Sequence, residues 1–467
     1  MNLFFTRDLA LGELNVRAFA FFVLINFLLI NPWIVSVAAQ RVAPDPTEQN
    51  IDQVEQQKMD RHGMNMPPMD KSGTGPDWMP SPDNGSGTEW QPASTSIPMW
   101  MKSVDTWQVM AHGVVFLDYN QQGGPRGEGK AESVNWLMLM EQHRLGSGNL
   151  LFREMFSAES LTSPHPGFPE LFQTGETYHG QPLVDHQHPH NVFAELSFDY
   201  THPIGTLFKE KVWWEFYGAA AGEPALGPVA FMHRASASEL PMAPLSHHLQ
   251  DSTHTSFGVI NTGLIISRFK VEGSVFNGRE PDEKRYTIQF APLDSWSARL
   301  SLAASKNWTA EYSYGRLEHP EAFEPGSQRR QTAAIEYVRS FAQGALVWAT
   351  SAVWGRAHNE FDNHNLNGYL LETTANFKLR NYAFSRMELA DKDELFPNDP
   401  ALPAFRIGAY TFGGAHDLFQ RHLWRLALGA DFTLYSKPSV LDSAYGRNPV
   451  SFQVFLRARP AFGHGGH

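Results

Sequence analysis

The run Asp185-His186-Gln187-His188-Pro189-His190-Asn191 carries three histidines at alternate positions. In extended backbone, residues two apart point the same way, so His186, His188 and His190 are expected to present three imidazoles to one side, with Pro189 stiffening the run. Glu195 and Asp199 follow on the polar face of the next segment, and Glu215 stands on that of its neighbour. Imidazole with carboxylate suits a borderline divalent ion such as copper, zinc or nickel. Polar loop side chains that hydrogen-bond the rim of a fold account for the same residues without a metal. A second group, Met232, His233, Met242, His247, His248 and His254, reads as a further ligand set or as a structural plug. His165 and His179 have no individual assignment.

Softer ligands lie earlier in the chain. Met59, His62, Met64, Met66 and Met69 are followed by Met79, Met99 and Met101, so seven of the fifteen methionines fall between positions 59 and 101. They lack a helical period and so cannot be a core stripe. Thioethers favour Cu(I) and carry no proton to lose, so such a tract can collect exported copper or silver; a Pro/Met-rich spacer is the plainer account. The chain has no cysteine, which excludes disulfides, thiolate metal sites and a Cys nucleophile. There is no Gly-rich phosphate loop, G-x-S-x-G elbow or H-E-x-x-H, and although spacing alone leaves Ser197 and Ser274 open, a non-enzymatic protein is expected.

The elements that must position these residues follow from the rest of the sequence. In 467 residues, 42% are apolar, 13% aromatic and 18% charged, with a net charge of -12. That balance is too aromatic for a disordered chain and argues against nucleic-acid binding. A mean hydropathy of -0.35 excludes a polytopic helical membrane protein. Residues 1–39 read as an export signal cleaved after Ala39, against a retained anchor as the rival, and residues 40–96 as a disordered periplasmic arm rich in Met, His, Pro and Gly. From residue 97 to 467 the pattern is all-β. About sixteen segments alternate apolar and polar residues, as in Trp424, Leu426, Leu428, Ala430, Phe432 and Leu434 against Arg425, Asp431 and Thr433. Long and short connections alternate strictly between them, which is the pattern of a transmembrane antiparallel up-and-down β-barrel. Glu195, Asp199, Glu215, Arg299, Glu311, Glu372, Arg425, Asp431, Arg457 and Arg459 are expected to face the lumen in ion pairs or in water.

With Met59, His62, Met64, Met66, Met69 and Met79 ahead of a barrel whose last strand ends near the aromatic Phe462, the organisation resembles the copper-resistance B proteins of Gram-negative bacteria. Asp185-His186-Gln187-His188-Pro189-His190 and Phe276-Asn277-Gly278-Arg279-Glu280-Pro281-Asp282-Glu283 also look like segments of uncharacterised outer-membrane proteins found in metal-resistance settings. The resemblance implies an outer-membrane barrel that binds or passes a transition-metal ion, copper first. His186, His188, His190, Glu195, Asp199, His247 and His248 are the ligands expected in the barrel, and Met59, His62, Met64, Met66 and Met69 those in the arm. Expected partners are outer-membrane lipid, the barrel-assembly machinery, periplasmic metal-handling proteins and further copies of the chain. The alternative is a general porin or small-solute channel whose loop histidines are only structural.

Overall fold

In the computed structural model the described residues are 78–322, 325–399, 402–421 and 423–461. The export signal, most of the arm with Met59, His62, Met64, Met66 and Met69, and the barrel end at Phe462 lie outside them. Sixteen strands form the wall: β1 (Trp107–Gln121), β2 (Asn135–Leu145), β3 (Gly148–Phe156), β4 (Phe193–Leu207), β5 (Glu210–Gly222), β6 (Ser256–Ile266), β7 (Phe269–Phe276) and β8 (Ser295–Ser305), then β9 (Trp308–Leu317), β10 (Gln328–Phe341), β11 (Leu346–Asn359), β12 (Asn365–Phe377), β13 (Asn381–Lys392), β14 (Phe405–Gln420), β15 (Trp424–Ser436) and β16 (Val450–Pro460). Each pairs antiparallel with the next. The sheet closes where β1 meets β16, from Val115 opposite Ala458 to Gln121 opposite Phe452. A short strand, Trp100–Val104, covers the lower edge of β1.

The side chains are inverted relative to a soluble protein. Leu117, Ile260, Val271, Leu300, Ile335, Leu371, Leu428 and Val454 are exposed on the outer face, while Arg153, Lys270, Arg299, Glu372 and Arg457 are almost wholly buried inside. In hydrocarbon every backbone polar group needs a partner, which a closed sheet supplies, so this is a transmembrane barrel. Exposed aromatics ring both ends, with Trp308, Trp348 and Trp424 near the short turns and Tyr119, Trp296 and Phe452 near the long connections. Short turns such as the one through Phe208 and Lys209 place both central residues at positive φ, a conformation that continues the right-handed strand twist.

The lumen is packed. Residues 78–96, assigned to the arm from composition, lie within it, and so does the connection 223–255. Thr88 donates to Glu272 at 2.6 Å and accepts from Arg299 at 2.9 Å. Arg153 reaches the carbonyl of Pro82 at 2.8 Å. From the second insert, Arg234 pairs with Glu372 at 2.7 Å, and Glu239 bridges Arg457 and Arg459. The low hydrophobicity of 78–96 suits a lumen of charged walls, where backbone carbonyls and hydroxyls supply the partners those charges require. Composition alone cannot distinguish such a plug from a free arm.

Candidate functional site

The long connections meet at one end of the barrel. His188 and His190 come from 157–192, joining β3 to β4; His247, His248 and His254 come from 223–255, joining β5 to β6; Glu280 and Arg285 come from 277–294, joining β7 to β8. Together with Glu176 they line a cavity of about 20 Å³, enough for one water-sized species.

Each histidine is held by a local device. His247 and His248 begin a one-turn helix, His247–Gln250. It lies against the wall where Gly355 of β11 faces Gly368 of β12, and a Cβ on Gly355 would stand 2.0 Å from the carbonyl oxygen of Leu249. Asp251, four residues after His247, takes its Nδ1 at 2.6 Å, and the same carboxylate binds Phe231 N at 2.8 Å and Arg234 at 3.1 Å. The backbone oxygen of Asp251 accepts from Nδ1 of His254 at 2.7 Å. Glu159 holds His190 twice, at its backbone nitrogen (2.9 Å) and at Nδ1 (2.7 Å). Glu176 binds Nε2 of His188 at 2.7 Å and pairs with Arg285.

These contacts fix tautomers. A carbonyl or carboxylate only accepts, so His190, His247 and His254 each carry a proton on Nδ1, and the neutral ring then leaves Nε2 as a lone pair. Nε2 of His190 lies 3.1 Å from Nε2 of His254. Two lone pairs at that distance repel unless a proton or a cation lies between them. At ordinary metal–nitrogen lengths of roughly 2.0–2.1 Å this separation subtends about 100°, within the range of a distorted tetrahedron. A second triad, His188, His247 and His248, has ligand atoms all within 4.8 Å of one another. Nδ1 of His248 and Oε1 of Glu280, 3.7 Å apart, are buried without a hydrogen-bond partner among the described residues.

Burial favours the neutral form of three of the histidines. It pushes His248 and His254 well below the usual imidazole range, aided in both by His247. It also lowers His188, although Glu176 opposes the shift. Burial raises Glu280 well above the carboxylate range, with the neighbouring Glu321 and Glu176 adding to it. Against its own burial, Glu176 is held down to about 2 by Arg285 and His188. His188, His248 and His254 are thereby favoured as uncharged imidazoles, and carboxylates stand behind the cluster in the outer-sphere arrangement that orients metal-bound histidine.

The structure gathers part of the expected set. His188, His190, His247 and His248 converge; His186 does not. His186 and Gln187 pair with Pro169 and Phe168 in a two-residue ladder, and the His186 ring turns to Glu128 at 3.2 Å, because the strand ends at Gln187 and the alternation does not reach His188. Glu195 and Asp199 face the lumen but belong to Arg153, at 4.0 and 3.7 Å. Glu159, Glu176, Asp251, Glu280 and Arg285 were missed. Only Asp251 left a local signal, its i+4 spacing from His247.

No protein family and no curated protein matches the sequence. Among solved structures, the chain is similar to the anion-selective porin from Comamonas acidovorans (11% identity, TM-score 0.47, 76% of this chain and 99% of that one). It is also similar to Salmonella typhi OmpF in complex with daunomycin (8%, 0.46, 77% and 100%) and to the outer-membrane channel DcaP of Acinetobacter baumannii (9%, 0.43, 76% and 99%). The barrel is porin-like, as its own strand pairing shows. At such identities no cargo transfers from these proteins, and the copper-resistance B resemblance remains an expectation.

Proposed function

We propose that the chain is a bacterial outer-membrane barrel that binds a transition-metal ion, copper first, at the histidine cluster of its long-connection end, as part of metal handling. The reading is carried by the two opposed Nε2 atoms of His190 and His254, 3.1 Å apart, each with its Nδ1 already committed. The methionines at 59, 64, 66 and 69, with His62, serve as a periplasmic collector. Barrel-assembly machinery, periplasmic metal carriers and further copies of the chain are the partners this role calls for.

Calorimetry of Cu²⁺ and Zn²⁺ on the full-length protein in detergent tests it. Binding in the wild type that is lost in His190→Ala/His254→Ala supports the site; equal binding by both proteins removes it. A second reading, a general porin or small-solute channel, is favoured by the sixteen-strand wall with its charged lumen. It requires the inserts 78–96 and 223–255 to move aside, and predicts currents through planar bilayers that ignore copper.

A further inference from the structure

A second constellation of soft ligands lies inside the lumen, on the first three strands of the wall and the insert packed over them. Met110 and His112 of β1, Trp136, Met138 and Met140 of β2, and Met155 of β3 all point inward. The register places His112 opposite Met138, Met138 opposite Met155, and Met110 opposite Met140. Met99, just beyond the first insert, and Met232 and His233 of the second pack against this ladder. Met99, Met110, Met138, Met140 and Met155 are each at most 2% exposed.

Methionine fills gaps in many cores, and that account covers the sulfurs. It does not cover the imidazole of His233. Both ring nitrogens of His233 are buried with no hydrogen-bond partner among the described residues, and the residue is only 4% exposed. Buried polar atoms are ordinarily satisfied, and unsatisfied ones mark an absent partner. Nε2 of His112 lies 3.2 Å from Sδ of Met138. With metal–nitrogen and metal–sulfur bonds of roughly 2.0 and 2.3 Å, that bite closes at about 95°. The ring of Trp136 packs edge-on against both histidines, with centroids 5.2 and 4.7 Å away.

We propose that His112, Met138 and His233, with Met155 and Met232 adjoining, form a site for a soft monovalent cation, Cu⁺ or Ag⁺. Neutral thioether and imidazole ligands in a dry site favour a soft ion of single charge, because desolvation rises steeply with charge and no carboxylate stands among the ligands. Asp83 supplies a nearby negative charge, and the opposing positive charge of Arg153 is engaged by Glu195 and Asp199. The site differs from the outer histidine cluster in its ligands, thioethers with imidazole in place of carboxylate-backed imidazoles suited to a divalent ion, although His233 lies within electrostatic range of His190 and His254.

The test uses the full-length protein in detergent with Ag⁺, the redox-inert analogue of Cu⁺, competed against a chromophoric chelator. Met138→Leu and His233→Leu should each lose one equivalent of Ag⁺, or bind it roughly tenfold or more weakly, with Zn²⁺ binding at the outer cluster unchanged in Met138→Leu. Silver stoichiometry and affinity equal to wild type in both variants would overturn the proposal. A second readout does not depend on those variants folding: Ag⁺ should quench a component of wild-type tryptophan emission that Trp136→Phe lacks. Quenching identical in wild type and Trp136→Phe would also overturn it.

Discussion

Glu159 holds His190 by ring and backbone at once, with its Oε2 2.7 Å from Nδ1 and 2.9 Å from the backbone nitrogen. The ring is thereby aimed at His254 with its lone pair forward. Glu159→Gln keeps the backbone contact but removes the charge behind the ring, and should weaken Zn²⁺ and Cu²⁺ binding about 10- to 100-fold with the barrel intact. Calorimetry beside far-UV circular dichroism checks this, and unchanged affinity would mean that the carboxylate has no such role.

Gly355 tests the same site from a distance. Its missing Cβ lets the helix His247–Gln250 lie on the wall. Gly355→Val should displace His247 and His248 and lower metal affinity without altering any candidate ligand. Ala357→Val, on the same inward face two residues on, is the matched control.

Glu239 is the joint between the second insert and the wall, binding both Arg457 and Arg459. Removing one partner of a buried ionic network costs about 3–5 kcal/mol, because it leaves charge uncompensated. Glu239→Gln should therefore loosen residues 223–255. Faster amide exchange there and larger single-channel currents are the expected results; wild-type values in both measurements would show that the insert is anchored elsewhere.

On the outer face, Ile335 is 52% exposed near the middle of β10. Arginine there should cost roughly 2–4 kcal/mol if the position sits at the bilayer midplane. Reversible urea unfolding in lipid vesicles reads the difference, and a neutral effect would place Ile335 outside the hydrocarbon.

His364, in the connection between β11 and β12, sits between Asp362 and Asp393 at 2.8 and 2.9 Å. Partial burial lowers its pKa, but the two carboxylates outweigh burial and raise it above the usual value. A histidine whose folded pKa is raised lends stability that is fully present below its unfolded pKa, near 6.5, and lost as pH rises through the folded value. The side chain is 32% exposed, so solvent screening holds the contribution below about 1 kcal/mol. An NMR titration should find His364 above 6.5, with Asp393→Asn moving it down.

Strand number, alternation of faces and the order of long and short connections were all legible locally, because a strand in a barrel wall has one lipid side and one lumen side and its sequence must alternate with them. The lumen-facing charges were legible for the same reason. The methionine ladder was not recognised, although Met110, Met138, Met140 and Met155 occupy inward positions of their strands, because a methionine reads as readily as core filler.

By itself the sequence determined the barrel, for hydrocarbon accepts only helices and closed sheets, and the sixteen segments alternate with the period of strands. It also named the five histidines that meet, His188, His190, His247, His248 and His254. Only the tertiary structure decided that residues 78–96 fill the lumen, that His186 turns away to Glu128, and that Glu159, Glu176 and Glu280 stand behind the imidazoles. Those outcomes depend on loops from distant parts of the chain docking into one mouth, where each buried charge takes the nearest opposite partner, and such pairings leave no period in the sequence.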